Sequence, residues 1–507
     1  MSFPLKPVVG LQDVRELEKR PFKMTIMGAA IKKMVSGLVV LLLLSPLGIK
    51  AGELPPYAKV PKITAVAAAY KAKILCSAVF VSKRNPSDVQ QQELKDLPFP
   101  AKIDEQNKTV TVAVGMGMPD QIAIFRDGLG CTLGIDYTAE HISAQVTGSP
   151  TPSPVDMSQL GKLWPEGDSV NIENLPPEID KAKLTTAIDR AFTEPNAGQK
   201  KFWGTRAIVV VYKGRVIGER YAPGFSKDTP LLGWSMTKSI TNALAGILVG
   251  QGKLTPKAPA PVPEWSGKDD PRAAITVDQL MRMSDGLNFV EDYIDMLSDT
   301  PFMLFGMPDT AAFTAAKPLE VAPDSRWRYI SGSPNLVSRI MRGAIGGSLA
   351  QYFAFPRRAL FDKIGMRSAV IEPDAAGTFV GSSFSYATAR DWARFGLLYL
   401  RDGVWMTERI LPEGWVKYAT TPTPKAPKGE YGAYWWLNAG NPLGSANRLY
   451  PSLPTDLYTA LGYEGQNVVV IPSRDLVVVH LGASNPPEGI WNPEELVGEV
   501  LKAVKQP

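Results

Sequence analysis

The chain has 507 residues, 45% of them apolar and 21% charged, a balance that suits a large globular core with room for more than one domain. Its formal net charge of +5 sits entirely in residues 1 to 50, where eight Lys or Arg face three Asp or Glu; the rest is formally neutral and offers no nucleic-acid surface on charge grounds. Two histidines, His141 and His480, and two cysteines, Cys76 and Cys131, make no cluster with metal-ligand spacing, and no glycine-rich phosphate loop opens a helix, so no metal or nucleotide cofactor is expected.

In the basic N-terminal region, Lys32-Lys33 precede an apolar run from Met34 to Ile49. The run is shorter than the ~20 residues of a membrane span and holds Ser45-Pro46 and Gly48, which suits a signal peptide. No clean small-x-small cleavage site follows it, so an uncleaved membrane anchor fits as well, and a buried core helix is the third reading. With the cations ahead of the run, both leading readings export the rest of the chain, periplasmic or anchored facing the periplasm. Residues 51–165 read as an N-terminal extension. It comprises a proline linker at Pro55-Pro56 and Pro61, an alanine-rich helix from Ala65 to Ile74 leading to Cys76, and a strand pair, 109–114 and 121–125, leading to Cys131. A low-complexity joint at 147–154 closes it. In an exported chain the two cysteines are a disulfide candidate; otherwise they are buried thiols.

Residues 166–507 form the second unit, and the chemistry concentrates there. Ala207–Tyr212 and Arg215–Tyr221 read as two strands joined across Lys213-Gly214. Trp234-Ser235-Met236-Thr237-Lys238 then opens a helix whose apolar face carries Ile240, Leu244, Ile247 and Leu248 and which stops at Gly250-Gln251-Gly252. Residues three apart share a helix face, so the Lys238 amine can reach the Ser235 hydroxyl and draw its proton while the first-turn N–H groups favour developing negative charge. The bland alternative is a capping Ser235 with a solvated Lys238. Ser284-Asp285-Gly286 follows apolar Leu280 and Met283 and reads as a helix C-terminal turn. Further on, Tyr329-Ile330-Ser331 precedes a helical stretch, Asn335–Ile340. Gly462-Tyr463-Glu464-Gly465-Gln466 leads into a strand at 468–471 that turns around 472–475 into 476–481. His480 lies inside that last strand, which leaves a Ser-His-Asp triad poorly supplied.

These three motifs, in this order and with Tyr329 following Ser235 by 94 positions, resemble those of the β-lactamase-related serine hydrolases. The branch is that of class C β-lactamases, D,D-carboxypeptidases, carboxylesterases and 6-aminohexanoate-dimer hydrolases. The likeness runs over roughly residues 200 to 500 and implies an α+β, serine β-lactamase/transpeptidase-like fold: an antiparallel sheet flanked by helices, plus a helical subdomain between about 250 and 400 that carries Tyr329 across the cleft. It implies Ser235 as nucleophile and Lys238 as activator. Tyr329 would be a phenol whose pKa is lowered by the adjacent ammonium so that it serves as phenolate base and later as acid. Ser331 would line the same cleft, and the backbone N–H groups of Ser235 and Gln466 would receive the oxyanion, with Gly465 letting the strand approach the substrate.

The β-lactamase pattern has Lys-Thr-Gly where this chain has Tyr463-Glu464-Gly465, and the missing cation points to a small-molecule ester or neutral amide as substrate. A β-lactamase or D,D-carboxypeptidase, with Arg326 or Arg328 holding the substrate carboxylate, is the alternative. A non-catalytic envelope binding protein of the same fold is the other.

Overall fold

The computed structural model describes residues 56–115, 117–146, 161–194, 203–484 and 491–505. The apolar run 34–49 and the joint at 147–154 lie outside them. Helix α1 (Pro56–Phe80) opens the described chain, so Pro61 lies within a helix where the sequence suggested a linker. Four strands follow, β1 (Ala101–Asp104), β2 (Thr109–Val112), β3 (Gln121–Arg126) and β4 (Gly130–Leu133), in an antiparallel meander of which sequence showed only the middle pair.

Residues Lys62–Phe80 of α1 are long and apolar enough to cross a membrane, yet 72% of that span is buried inside the protein. It packs on β2, β3, β4 and the helix Asp299–Gly306. Cys76 is joined to Cys131 of β4. The extension is therefore no appendage: Ala68, Leu75 and Val112 share one core with Leu231, Trp234 and Phe384 of the second unit. A buried ion pair crosses the same seam. Lys73 meets Glu372, whose carboxylate also accepts hydrogen bonds from Ser77 Oγ (2.7 Å) and from the Cys131 N–H (2.7 Å).

After helix α2 (Lys181–Ala191) comes the hairpin β5 (Ala207–Tyr212) and β6 (Arg215–Tyr221). It belongs to a six-stranded antiparallel sheet completed by β7 (Trp436–Leu437), β8 (Tyr458–Gly462), β9 (Gln466–Ile471) and β10 (Leu476–Leu481), in the order β7-β8-β9-β10-β5-β6. The strands read as unbroken Val/Ile runs because both faces are covered, and alternate residues go to opposite sides. Val209, Val211, Val468, Val470, Val477 and Val479 join the large core; Ile208, Val210, Val469, Ile471 and Val478 pack under α2 and α6 (Pro493–Ala503). Helices α3 (Thr237–Gly250), α4 (Gly332–Ile345) and α5 (Ala389–Leu400) lie on the large-core side. Gly396 lets α5 sit directly on the sheet, since a Cβ there would lie 2.6 Å from Val477 and 2.8 Å from Val468.

The helical part between 250 and 400 is present but also carries a small three-stranded sheet, Leu231–Leu232 with Ser385–Ala387 and Val370–Ile371. Ser284-Asp285-Gly286 ends the helix Val277–Met281 as expected. Gly286 turns with φ +78, and buried Asp285 accepts from Ser333 Oγ (2.6 Å), tying the turn to α4.

Candidate active site

One tight helical turn, Trp234–Met236, leads into α3 and exposes Ser235 by 9% at its mouth. Trp234 takes φ +46, a backbone state that costs a bulky residue energy and survives only where neighbours enforce it. Those neighbours are visible. Trp234 Nε1 donates to Glu464 (3.1 Å), and its ring meets Tyr463 and Phe384; Phe384 in turn touches Phe305, which packs on Tyr70 of α1.

One turn on, Lys238 is buried and its three donor directions are filled. Nζ donates to Ser235 Oγ (2.9 Å), to Ser331 Oγ (3.1 Å) and to the Ser382 carbonyl (3.1 Å). Burial lowers its pKa to about 8, with the Glu291 charge pulling the other way. The Tyr329 ring lies 4.8 Å from the ammonium, held between Tyr431 and Trp436.

The phenolate expected of Tyr329 is not what these surroundings favour. Burial, then the negative charge of Glu291, push the Tyr329 phenol above its ordinary range, and the hydrogen bond with Ser235 only partly offsets them. A cation facing the ring does not outweigh the loss of water around the hydroxyl. Of the two candidate bases, the amine is the one moved toward neutrality.

Glu291 was not foreseen. It accepts from the Ser331 N–H (2.6 Å), Ser331 Oγ (2.6 Å) and Thr300 Oγ1 (2.7 Å), so Ser331 bridges a carboxylate and the Lys238 amine. It sits in a loop that lacks any periodic pattern, and nothing in sequence separates it from Asp292 or Asp295. Tyr293, in the same loop, stacks on Tyr463 at 4.8 Å and was also unforeseen.

The third motif is placed differently from expectation. Gly462 makes the close approach, since a Cβ there would lie 2.2 Å from the Gly233 carbonyl oxygen, two residues before Ser235. Gly465 instead faces Trp491 and Ser484, because Glu464 takes a left-handed φ of +61 and turns the chain over. Gln466 pairs with Gly462 across the hairpin, and its side chain is spent on Gly482, donating to the carbonyl (2.8 Å) and accepting from the N–H (3.1 Å).

The two arginines named as alternative holders of a substrate carboxylate are engaged. Arg326 and Arg328 both pair with Glu320, and Arg328 also donates to the Leu287 carbonyl. The two guanidiniums hold the Glu320 carboxyl down to about 2. His480 is buried, stacked on Trp491 and bonded to Gly465 O and Thr205, remote from any nucleophilic role.

A family model described as Beta-lactamase matches residues 193–495. The 6-aminohexanoate-dimer hydrolase of Paenarthrobacter ureafaciens is 27% identical over 309 residues, 56% of this chain and 74% of that protein. Among solved structures, EstCE1, a hydrolase with promiscuous acyltransferase activity, covers 64% of this chain and 99% of its own at 14% identity with a TM-score of 0.50. A penicillin-binding protein homologue from Caulobacter crescentus covers 65% and 97% at 16% identity and a TM-score of 0.48. With the Ser-x-x-Lys turn, the Tyr-x-Ser segment and the terminal hairpin all inside the matched span, the chain belongs to the β-lactamase family and is a hydrolase of that fold.

Proposed function

We propose that the chain is a serine hydrolase that cleaves small esters or neutral amides through an acyl-enzyme. The observation that carries this reading is the Lys238 amine, buried and bonded to Ser235 Oγ at 2.9 Å. Ser235 Oγ attacks the substrate carbonyl as its proton passes to neutral Lys238. The oxyanion meets the Ser235 N–H at the start of the helix and the backbone of the hairpin around Gly462, Tyr463 and Gln466. Tyr329, kept protonated by its surroundings, gives its proton to the leaving group; water then attacks the acyl-enzyme, losing its proton to the Tyr329 oxygen while the Lys238 ammonium returns the other proton to Ser235 Oγ, which restores all three groups.

Charge supports the substrate class. With Arg326 and Arg328 committed to Glu320, neither is free among the described residues to meet a carboxylate beside the scissile bond, which would then be desolvated at a cost of several kcal/mol. The cleft offers aromatic surface instead, from Tyr293, Tyr463, Tyr329 and Trp436. The Paenarthrobacter relative, a 6-aminohexanoate-dimer hydrolase, favours amino-alkanoate amides as slower substrates. The Cys76–Cys131 bridge supports an exported protein.

The test is hydrolysis of p-nitrophenyl acetate and butyrate together with labelling by a fluorophosphonate. Ser235→Ala should abolish both, with stability within ~1 kcal/mol of the parent. Penicillins and cephalosporins should be at least about a hundredfold poorer in kcat/KM, ~2.7 kcal/mol of transition-state binding. Labelling at another serine, or a cephalosporin turned over faster than the esters, overturns the reading.

A further inference from the structure

Glu291 is a carboxylate that the proposed reaction, as written above, leaves without a part. Both its oxygens are spent on the backbone and hydroxyl of Ser331, with Thr300 Oγ1 fixing the rest of the group. That leaves Ser331, whose side chain also lies within hydrogen-bond reach of the Tyr293 phenol, a single role toward the Lys238 amine. Its hydroxyl hydrogen goes to Glu291, so its oxygen lone pairs face the Lys238 amine at 3.1 Å. The amine's remaining partners are Ser235 Oγ and a carbonyl, both acceptors.

We infer that Glu291 is a positioning residue for the reaction proposed at Ser235: it fixes Ser331 as a pure acceptor toward Lys238 and thereby aims the amine at the nucleophile. Without the carboxylate, the Ser331 hydroxyl is free to rotate and to donate to the neutral amine. Such a bond would occupy the lone pair that must receive the Ser235 proton. The inference rests on the Ser235–Lys238 reading.

Its pH consequence has a definite sign. The groups facing Lys238 are Ser235 in the turn ahead of α3, Tyr329 and Ser331 ahead of α4, the Ser382 carbonyl and the charge of Glu291. Around Glu291 lie Ser331, Thr300, Tyr293, Tyr329 and Tyr431. A negative charge beside an ammonium stabilises it, so removing that charge makes the amine lose its proton at lower pH. A base that works when neutral then becomes competent earlier on the pH axis.

The experiment measures fluorophosphonate labelling rate against pH, kcat and KM for p-nitrophenyl butyrate, and thermal midpoint, for the full chain and for Glu291→Gln and Glu291→Asp. Glu291→Gln should move the acid limb of the labelling profile down by about half a pH unit or more. Its plateau kcat should fall at least about tenfold with KM within about threefold. Glu291→Asp keeps the charge, so its limb should stay with the parent and its rate should recover above that of the glutamine variant. An unmoved limb in Glu291→Gln, or an aspartate variant no better than it, overturns the inference. Should the glutamine variant not fold, Ser331→Ala cuts the bridge directly, and a parental kcat there overturns it equally. Labelling that survives Ser235→Ala would instead remove the nucleophile assignment, a separate failure.

Discussion

Replacing Gly462 by alanine should strike the catalytic step more than the fold. The residue has φ −125 and ψ 160, a conformation any amino acid adopts, so the substitution adds no backbone strain and acts through its methyl alone. That methyl would stand 2.2 Å from the Gly233 carbonyl oxygen and 3.0 Å from Gln466 Cβ, roughly 1 Å short of van der Waals contact on the nucleophile side. Neither neighbour is the tip of a flexible side chain. Gly233 is held by its N–H bond to Ser385 O (2.7 Å), and Gln466 by its ties to Gly482, so the strand end and the Ser235 turn must part by about 1 Å. Overpacking of this kind costs about 1–3 kcal/mol of stability. A misplacement of about 1 Å at a reacting group costs on the order of a hundredfold in rate, ~2.7 kcal/mol at the transition state. Gly465→Ala is the control. It forces an alanine to φ +84 against Trp491 and Ser484, straining the turn by about 1–3 kcal/mol without pressing on the Gly233 carbonyl or the Ser235 turn directly. Ester kcat/KM, labelling rate and thermal midpoint, measured on both variants, decide the matter. If Gly462→Ala keeps kcat/KM within about threefold of the parent, or Gly465→Ala loses as much at equal stability, the strand end does not set the nucleophile's geometry.

Because Lys238 must be neutral to take a proton, ester kcat/KM should rise with pH through about 8, and a profile flat from pH 6 to 10 would exclude the amine as base. Lys73→Met strands the buried Glu372 carboxylate and should cost about 3–5 kcal/mol, part of which Lys73→Met/Glu372→Gln restores; a single variant melting with the parent would refute the role given to that seam. His480 is held neutral, its pKa pushed by burial from 6.5 to about 4, so its contribution to stability is complete above pH 6.5 and is lost as pH falls toward 4. It amounts to ~3 kcal/mol over that window. Asp374, pushed up to about 7, acts with the opposite sign there, so the quantity to read is the difference between the parent and His480→Gln in chemical denaturation at pH 7 and pH 4.5. A difference independent of pH would contradict the assignment.

The parts of this molecule that sequence exposed are those in which one segment carries its own pattern. The strands at 207–221 and 466–481 are Val/Ile runs bounded by turn residues, and Ser235 and Lys238 share a helix face by spacing alone. Tyr329 and Ser331 came from likeness to a family, and the structure brings both to the amine. What stayed hidden depends on contacts between distant segments. Glu291 and Tyr293 sit in a loop whose partners lie some forty or more positions away, at Ser331 and Tyr463. Which of two glycines approaches the Ser235 turn depends on one left-handed residue, Glu464, that no motif announces. The upward push on the Tyr329 phenol comes from the water its partly buried ring loses and from the charge of Glu291, and a neighbouring lysine in the sequence pattern says nothing about either. The apolar α1, with Lys71 and Lys73 inside it, gave no sign that it would be absorbed by the catalytic core.

The order of strands in the large sheet governs when the enzyme comes into being. β5 finds its hairpin partner β6 at once, but its other neighbour is β10, with Tyr212 opposite Leu476. A ribosome delivers Ser235, Lys238 and Tyr329 long before that edge is filled, and Gly462 reaches the Ser235 turn only as the last hairpin arrives. Closing so long a loop is slow and leaves an open strand edge in the meantime. On the proposed reading, a nascent chain should thus lack activity for most of its synthesis. Any truncation that removes β10 should yield no partial activity, because the sheet lacks its middle and not merely its end.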